Sequence, residues 1–354
     1  MSAVSPPGRA RDPIRDVRHE GVPLSGPRVR IVSPSPSAAN NGNWHTAARW
    51  RRFLASVARV DIVGVDGDDG DDAEDAHAEL LIALHARRSA APIARWRERS
   101  ADAPLVLVLT GTDLYRDLDV DAGARHSLEC ASRIVVLQEA ALARLDAASR
   151  AKAVVIVQSA SALHARRVPG DADLVAVGHL RDEKDPTTLY RATRLLAGDA
   201  VVPTIAHIGG PLDARLADEA RATMAACPSY RWLGALSHAA ARRTIARARA
   251  LVHCSRIEGG ANVVVEAVRS GVPVLASRID GNVGLLGADY DGYFPVGDAV
   301  ALAALARRFL SVAAFADRLR AQCAARAPLF LPSAERRAVR ALVAGLVPAR
   351  TGAR

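Results

Sequence analysis

The sequence predicts an α/β chain of two doubly wound, Rossmann-like domains facing a central cleft, and three observations carry that prediction. From Val29 onward, short apolar runs of strand length alternate with longer amphipathic segments, the pattern of parallel strands joined by helical crossovers. The alternation occurs twice, interrupted by a polar stretch, Ser159–Asp173, whose Arg166, Arg167, Pro169 and Gly170 mark a linker. With 354 residues, 50% hydrophobic and 24% charged, the chain has material for two cores rather than one.

Residues 1–27 are rich in Pro, Gly and Arg without periodicity and are expected to form a disordered extension. The first domain, 28–160, opens with a strand at Val29–Val32 that ends in Ser-Pro-Ser-Pro. A helix is predicted from about Asn43 to Val60, with Trp44, Ala47, Ala48, Phe53, Leu54 and Val57 as its apolar members. Strands are then expected at Asp61–Val65, Leu80–Leu84, Leu105–Leu109, Ile134–Leu137 and Val154–Val157. The second domain, 172–333, repeats the plan with Leu174–Val177, Thr204–Ile208, Leu251–Cys254 and Pro273–Ala276. Residues 334–354 close the chain as a helix, Ala334–Leu346, and a tail. Two doubly wound halves joined by a linker are expected to leave a cleft between them that the carboxyl ends of both sets of strands face.

Several function classes recede on composition. No apolar run approaches the roughly 18 residues of a membrane span, and the first residues lack the apolar core of a secretory signal. Cys130, Cys227, Cys254 and Cys323 are scattered without a C-x-x-C pair, against a zinc ribbon or a disulfide framework. A reduced, cytoplasmic protein is the expectation. The net charge of +9 invites a nucleic-acid reading, but all but two of the 47 basic residues are arginines, spread along the chain. With 4% aromatic residues there are few stacking platforms, so no nucleic-acid partner is expected. The acidic stretch Asp66–Asp75 lacks the spaced ligands of a calcium loop and reads as a solvated loop; no metal site is expected.

The chemistry concentrates in Ser255–Ser277. A strand leads into a loop with Glu258, Gly259, Gly260 and Ala261, and a helix begins near Asn262. Glycines at a strand-to-helix turn let backbone approach a ligand, and free N–H groups at the helix start attract an anion. Asn262 and Glu266, four apart, share a helix face pointing the same way as the loop. A carboxylate beside an anion site and a second one a turn further suit a ligand with phosphate in the middle and hydroxyls at both ends. A nucleotide-sugar has that shape.

The paired glutamates of EGGANVVVE, followed by A-x-x-x-G-V-P-V, resemble the donor site of GT-B glycosyltransferases of the glycogen-synthase-like superfamily. GHLRDEKDP, HIGGPLD, YRWLGAL and YFPVGD fall in the order of that superfamily's landmarks, so the resemblance covers about residues 29–346. It implies that His179, Arg181, Lys184, Arg256, Glu258, Gly259, Gly260, Ala261, Asn262 and Glu266 bind the donor, with Glu258 and Lys184 catalytic. The phrases ALHARRS, LTGTDLYRDL, SRIEGGANVVVEA and ASRIDGNVGLLGADYDGYFPVGD narrow it further, to the selenosugar synthases of selenoneine biosynthesis. That resemblance implies transfer of a hexose, chiefly N-acetylglucosamine, from a UDP-sugar to selenophosphate. A carbon–selenium bond would form with release of UDP and phosphate, and, with Lys184, His179 and the N–H groups around Gly259–Asn262 to meet the diphosphate charge, no metal cofactor is expected.

The chain departs from the wider superfamily in two places. The Gly-Arg-Leu triplet of the diphosphate clamp is here Gly178-His179-Leu180, followed by Lys184, with Arg181 or Arg256 as candidates for the missing charge. The His-Gly-Thr-Asp of the first domain is here Thr110-Gly111-Thr112-Asp113. A hydroxyl acceptor benefits from a nearby base, whereas an anionic acceptor needs positive charge. Arg87 and Arg88, just past His85 at a strand end, fit that need, since guanidinium groups hold phosphate oxygens bidentately. The Asn41-Gly42-Asn43 turn offers a backbone anion cradle. Thr112 is expected to donate in the same pocket and Asp113 to orient an arginine. The alternatives are a glycosyltransferase acting on a lipid or glycan hydroxyl, and a catalytically silent nucleotide-sugar binder. No stable membrane partner is expected, and the oligomeric state stays open.

Overall fold

The computed structural model describes residues 26–35, 42–65 and 77–347. The extension before Gly26, Asn41, the acidic stretch Asp66–Asp75 and the tail after Val347 lie outside the described residues. Among the described residues, two parallel sheets of six strands each form the fold. The first contains β1 (Arg28–Val32), β2 (Arg59–Val63), β3 (Leu80–Leu84), β4 (Leu105–Val108), β5 (Arg133–Val136) and β6 (Ala153–Val155), in the order β2-β1-β3-β4-β5-β6. The second contains β7 (Leu174–Val177), β8 (Ile205–Ile208), β9 (Tyr230–Trp232), β10 (Ala250–His253), β11 (Val274–Ser277) and β12 (Tyr293–Phe294), ordered β12-β11-β10-β7-β8-β9. Every residue of β3, β4, β8, β10 and β11 is buried, because helices cover both faces of a parallel sheet, and the polar members His207, His253 and Ser277 are hydrogen-bonded there.

The first helix is shorter than its apolar pattern suggests. It spans Gly42–Leu54, and the N–H groups of Val57 and Ala58 return to the Leu54 carbonyl. Arg59 and Val60 then leave the helical pattern to pair with Arg28 and Val29, so sheet register overrides helical periodicity there. The edge strands β9 and β12, three and two residues long, were too short to give a strand pattern of their own.

The final helix, Pro332–Leu346, packs on Gly42–Leu54, with Val339 and Val343 in the first domain's core. Buried Glu335 fastens three segments there. It accepts from Arg49 Nε at 2.8 Å, Trp50 Nε1 at 2.8 Å and the Ser159 N–H at 2.8 Å. The strand order reverses between β1 and β3 in one sheet and between β7 and β10 in the other. In open parallel sheets, ligands bind outside the strands' carboxyl ends at such points.

Candidate active site

A cleft of about 370 Å³ lies between the carboxyl ends of the two sheets. One wall carries Gly178, His179, Arg181 and Lys184 after β7, then Glu258, Gly260, Ala261, Asn262 and Glu266 after β10. The other carries Gly42 and Asn43 at a helix start, His85 and Arg88 after β3, and Thr110, Gly111 and Thr112 after β4.

Glu258 is the electrostatic centre of the first wall. Lys184 Nζ hydrogen-bonds its Oε1, and His253 Nε2 lies 3.4 Å from the same oxygen. Burial alone would raise this carboxyl's pKa. The Lys184 charge, then the His253 contacts, more than offset that and hold it well below the usual carboxylate range. Lys184 is presented by a turn whose next residue, Asp185, adopts a left-handed φ of 44° before Pro186. Asp185 also engages Arg256 Nη2 at 3.1 Å.

Glu266, one turn into the helix Asn262–Arg269, is buried and accepts from His238 Nε2 at 2.6 Å. The His238 ring lies 4.2 Å from that of His45 in the first domain, so the pair bridges the cleft. Burial, with His238 and Arg49 adding, lowers the His45 pKa to about 4 and leaves that ring neutral at neutral pH. Ala261, the helix N-cap, makes no side-chain cap, so the first N–H groups keep their capacity for an anion. His179 Nδ1 accepts the Gly210 N–H at 3.0 Å, which leaves the proton on Nε2 as a donor.

Across the cleft, His85 sits at a left-handed φ of 73°, a costly conformation for a residue with a Cβ. Its Nε2 lies 3.0 Å from Thr112 Oγ1, and burial pushes its pKa down. Arg88 has no carboxylate partner among the described residues and lines the cleft. Arg87 does not line it and is directed at Asp117 (3.7 Å) and Asp121 (3.2 Å).

Four residues therefore stand elsewhere than the sequence placed them. Arg256 is spent on Asp185 and Arg87 on two aspartates. Asp113 orients no arginine; its buried carboxylate accepts the N–H groups of Ala86, Thr110 and Gly111 at 2.7–3.1 Å, fixing the loop beneath Thr112. Gly259 faces the other domain rather than the cleft. A Cβ there would stand 2.5 Å from the Thr110 carbonyl carbon and 2.7 Å from the Gly111 nitrogen. Asn41 lies outside the described residues.

The structure adds His253, His238, His45 and Gln158, none of which sequence reasoning singled out. His253 closes an apolar strand, and Gln158 lies between β6 and the polar linker. Neither lies in a motif that signals chemistry.

Comparison with known proteins agrees with this architecture. Residues 165–328 match the family described as Glycosyl transferases group 1. Among solved structures, the chain is similar to HepE of Anabaena in complex with UDP and glucose, at TM-score 0.73 and 14% identity, covering 90% of this chain and 100% of that one. Sucrose-phosphate synthase from Thermosynechococcus elongatus gives TM-score 0.73 at 17% identity, covering 90% and 99%. The pneumococcal O-GlcNAc transferase GtfA in complex with UDP and GlcNAc gives 0.60 at 16%, covering 75% and 56%. None of the curated proteins matches the chain in sequence. Among the described residues, no single helix is long and apolar enough to cross a membrane. Residues 165–328 thus match the glycosyl transferases group 1 family model, and the chain as a whole has the two-domain GT-B glycosyltransferase fold.

Proposed function

We propose that the protein is a cytoplasmic glycosyltransferase that moves a hexose, N-acetylglucosamine in the leading form of the reading, from a UDP-sugar to selenophosphate. The observation that carries it is the distribution of charge across the cleft. Lys184 and Arg181 stand on the wall with the paired glutamates, and Arg88, without a carboxylate partner among the described residues, stands on the other. Support for UDP comes from the structural neighbours crystallised with it, and support for selenophosphate from the motif resemblance together with Arg88.

In this reading Glu266 accepts from the ribose hydroxyls, a task for which an ionised carboxylate has two oxygens. Binding then requires His238 to give up its hold on Glu266 Oε1. Glu258, fixed by Lys184 and His253, accepts from a hexose hydroxyl. As the anomeric C–O bond to UDP breaks and the C–Se bond forms, the electron pair leaves on the diphosphate. Lys184, Arg181 and the N–H groups at Asn262 meet that charge without a metal ion. Water then cleaves the P–Se bond, and phosphate departs.

Glu266→Ala is expected to weaken UDP binding by about 1.5–3 kcal/mol, the range for hydrogen bonds to a charged group. Calorimetry finding wild-type affinity would remove Glu266 from the site. The decisive test of the whole reading incubates the protein with UDP-N-acetylglucosamine and selenophosphate, with and without EDTA, and reads products by mass spectrometry. A selenosugar in both samples is the expected result. Arg88→Ala should raise the selenophosphate concentration needed, and Arg88→Lys should restore only part, because the ammonium loses the bidentate fork. Product from a lipid or glycan hydroxyl but none from selenophosphate would give the alternative acceptor class, and strict dependence on divalent metal would refute the metal-free step.

A further inference from the structure

One buried acceptor in the cleft has no donor. Gln158, just before the segment joining the two domains, is 3% exposed and lines the cleft, yet its Oε1 makes no hydrogen bond among the described residues. Buried amide oxygens are almost always paired, and an orphan calls for a cause. Reversing the amide does not supply one. Its Nε2 donates to Thr46 Oγ1 at 2.7 Å, and the Thr46 hydroxyl donates in turn to the Gly42 carbonyl at 2.9 Å. The threonine proton is committed, so only an N–H suits that side of the amide, and the oxygen must face the other way.

The oxygen is shielded from solvent, and a glycine rather than a larger residue stands against it. A Cβ at Gly260 would lie 3.0 Å from Gln158 Oε1, so any side chain at position 260 would crowd it. Gly260 is two residues from Glu258, which places this acceptor at the end of the cleft where the glutamate stands. A phosphate-like anion presents mainly acceptor oxygens and is better matched by a cation. A hydroxyl or an amide N–H is the donor that a neutral amide oxygen needs.

We infer that Gln158 is a sugar-specificity residue, its Oε1 accepting a hydrogen bond from a hydroxyl or the acetamido N–H of the transferred hexose. The inference rests on the glycosyltransferase reading above. It assigns the neutral acceptor Gln158 to the sugar and leaves the acceptor anion to Arg88. It also makes sugar recognition depend on both domains, since Gln158 is held by Thr46 of the first while Glu258 belongs to the second.

The test compares wild type with Gln158→Met, which keeps the side chain's length and removes the acceptor together with the Nε2 bond to Thr46. Three quantities are measured: UDP affinity by calorimetry, UDP release from UDP-N-acetylglucosamine and UDP-glucose in water alone, and thermal unfolding. The expected result is UDP affinity within about twofold of wild type and a Tm lowered by no more than the loss of that one hydrogen bond explains. The kcat/KM for the preferred sugar should fall about tenfold, and the preference between the two sugars should shrink. A structural glutamine would instead lower Tm and UDP affinity together and leave the sugar preference intact, which overturns the inference. So does a loss seen only when an acceptor is added, because Gln158 would then face the acceptor. Wild-type protein that neither binds UDP nor releases it from either sugar defeats the glycosyltransferase reading itself, and the Gln158 assignment with it.

Discussion

Lys184→Ala is expected to cost both stability and turnover, because one ammonium serves two purposes. It hydrogen-bonds the buried Glu258 carboxylate, and on the proposed reading it meets the charge developing on the leaving diphosphate. Removing one partner of a buried pair leaves an uncompensated charge, typically a loss of 3–5 kcal/mol. Lys184 is 21% exposed, so about 3 kcal/mol is the reasonable figure here. Turnover should fall by about 100-fold or more, as when a donor to a developing oxyanion is deleted. The pH dependence follows from the sign of the Glu258 shift. Its pKa is depressed in the folded protein, so its contribution to stability is present above about pH 4.3, the unfolded value, and fades as pH falls through the folded one. Without Lys184, burial pushes the carboxyl back up, and acid destabilisation should begin at higher pH. Urea unfolding at pH 7 and pH 5 measures this. Adding Glu258→Gln to Lys184→Ala should recover part of the lost stability by removing the stranded charge. A single variant as stable as wild type and fully active would show that the two side chains act independently.

Much of the architecture, and the placement of the paired glutamates, was legible in the sequence. The spacing of Glu258 and Glu266 put both on one wall, and the alternation of apolar runs gave both sheets, because buried parallel strands leave an unmistakable apolar trace. What the sequence hid was direction. Arg87 and Arg88 are adjacent, but the turn at left-handed His85 sends one toward Asp117 and Asp121 and the other to the cleft. Asp113 was expected to orient a cation and instead takes three backbone N–H groups, a local choice that short polar residues make readily and that spacing does not reveal. His45 and His238 meet across the cleft from distant positions in the chain, so no local pattern links them.

The glycine pair shows the same limit with the largest functional consequence. Gly259 and Gly260 invite reading as a phosphate turn, yet their closest neighbours belong to the first domain. A Cβ on Gly259 would meet the Thr110 carbonyl carbon at 2.5 Å and the Gly111 nitrogen at 2.7 Å, and a Cβ on Gly111 would meet the Gly259 nitrogen at 2.7 Å. All of these are backbone atoms, which cannot swing aside as a flexible side chain would. Gly259→Ala should therefore force the two walls apart while leaving each sheet and its core in place. Glu266, Lys184 and Asn262 share one domain, so UDP affinity should stay within a few-fold of wild type. Turnover should fall about 100-fold, since a misplacement near 1 Å between reacting groups costs that much. Gly271→Ala is the control. Its φ of 75° makes alanine strained there, but nothing lies within 4 Å of the added carbon, so only local stability should suffer. Small-angle scattering should show a larger radius of gyration for Gly259→Ala and none of that increase for Gly271→Ala. Wild-type turnover from Gly259→Ala would mean that the backbone contact between Gly111 and Gly259 is not needed for the chemistry, and that the active arrangement is more open than this one.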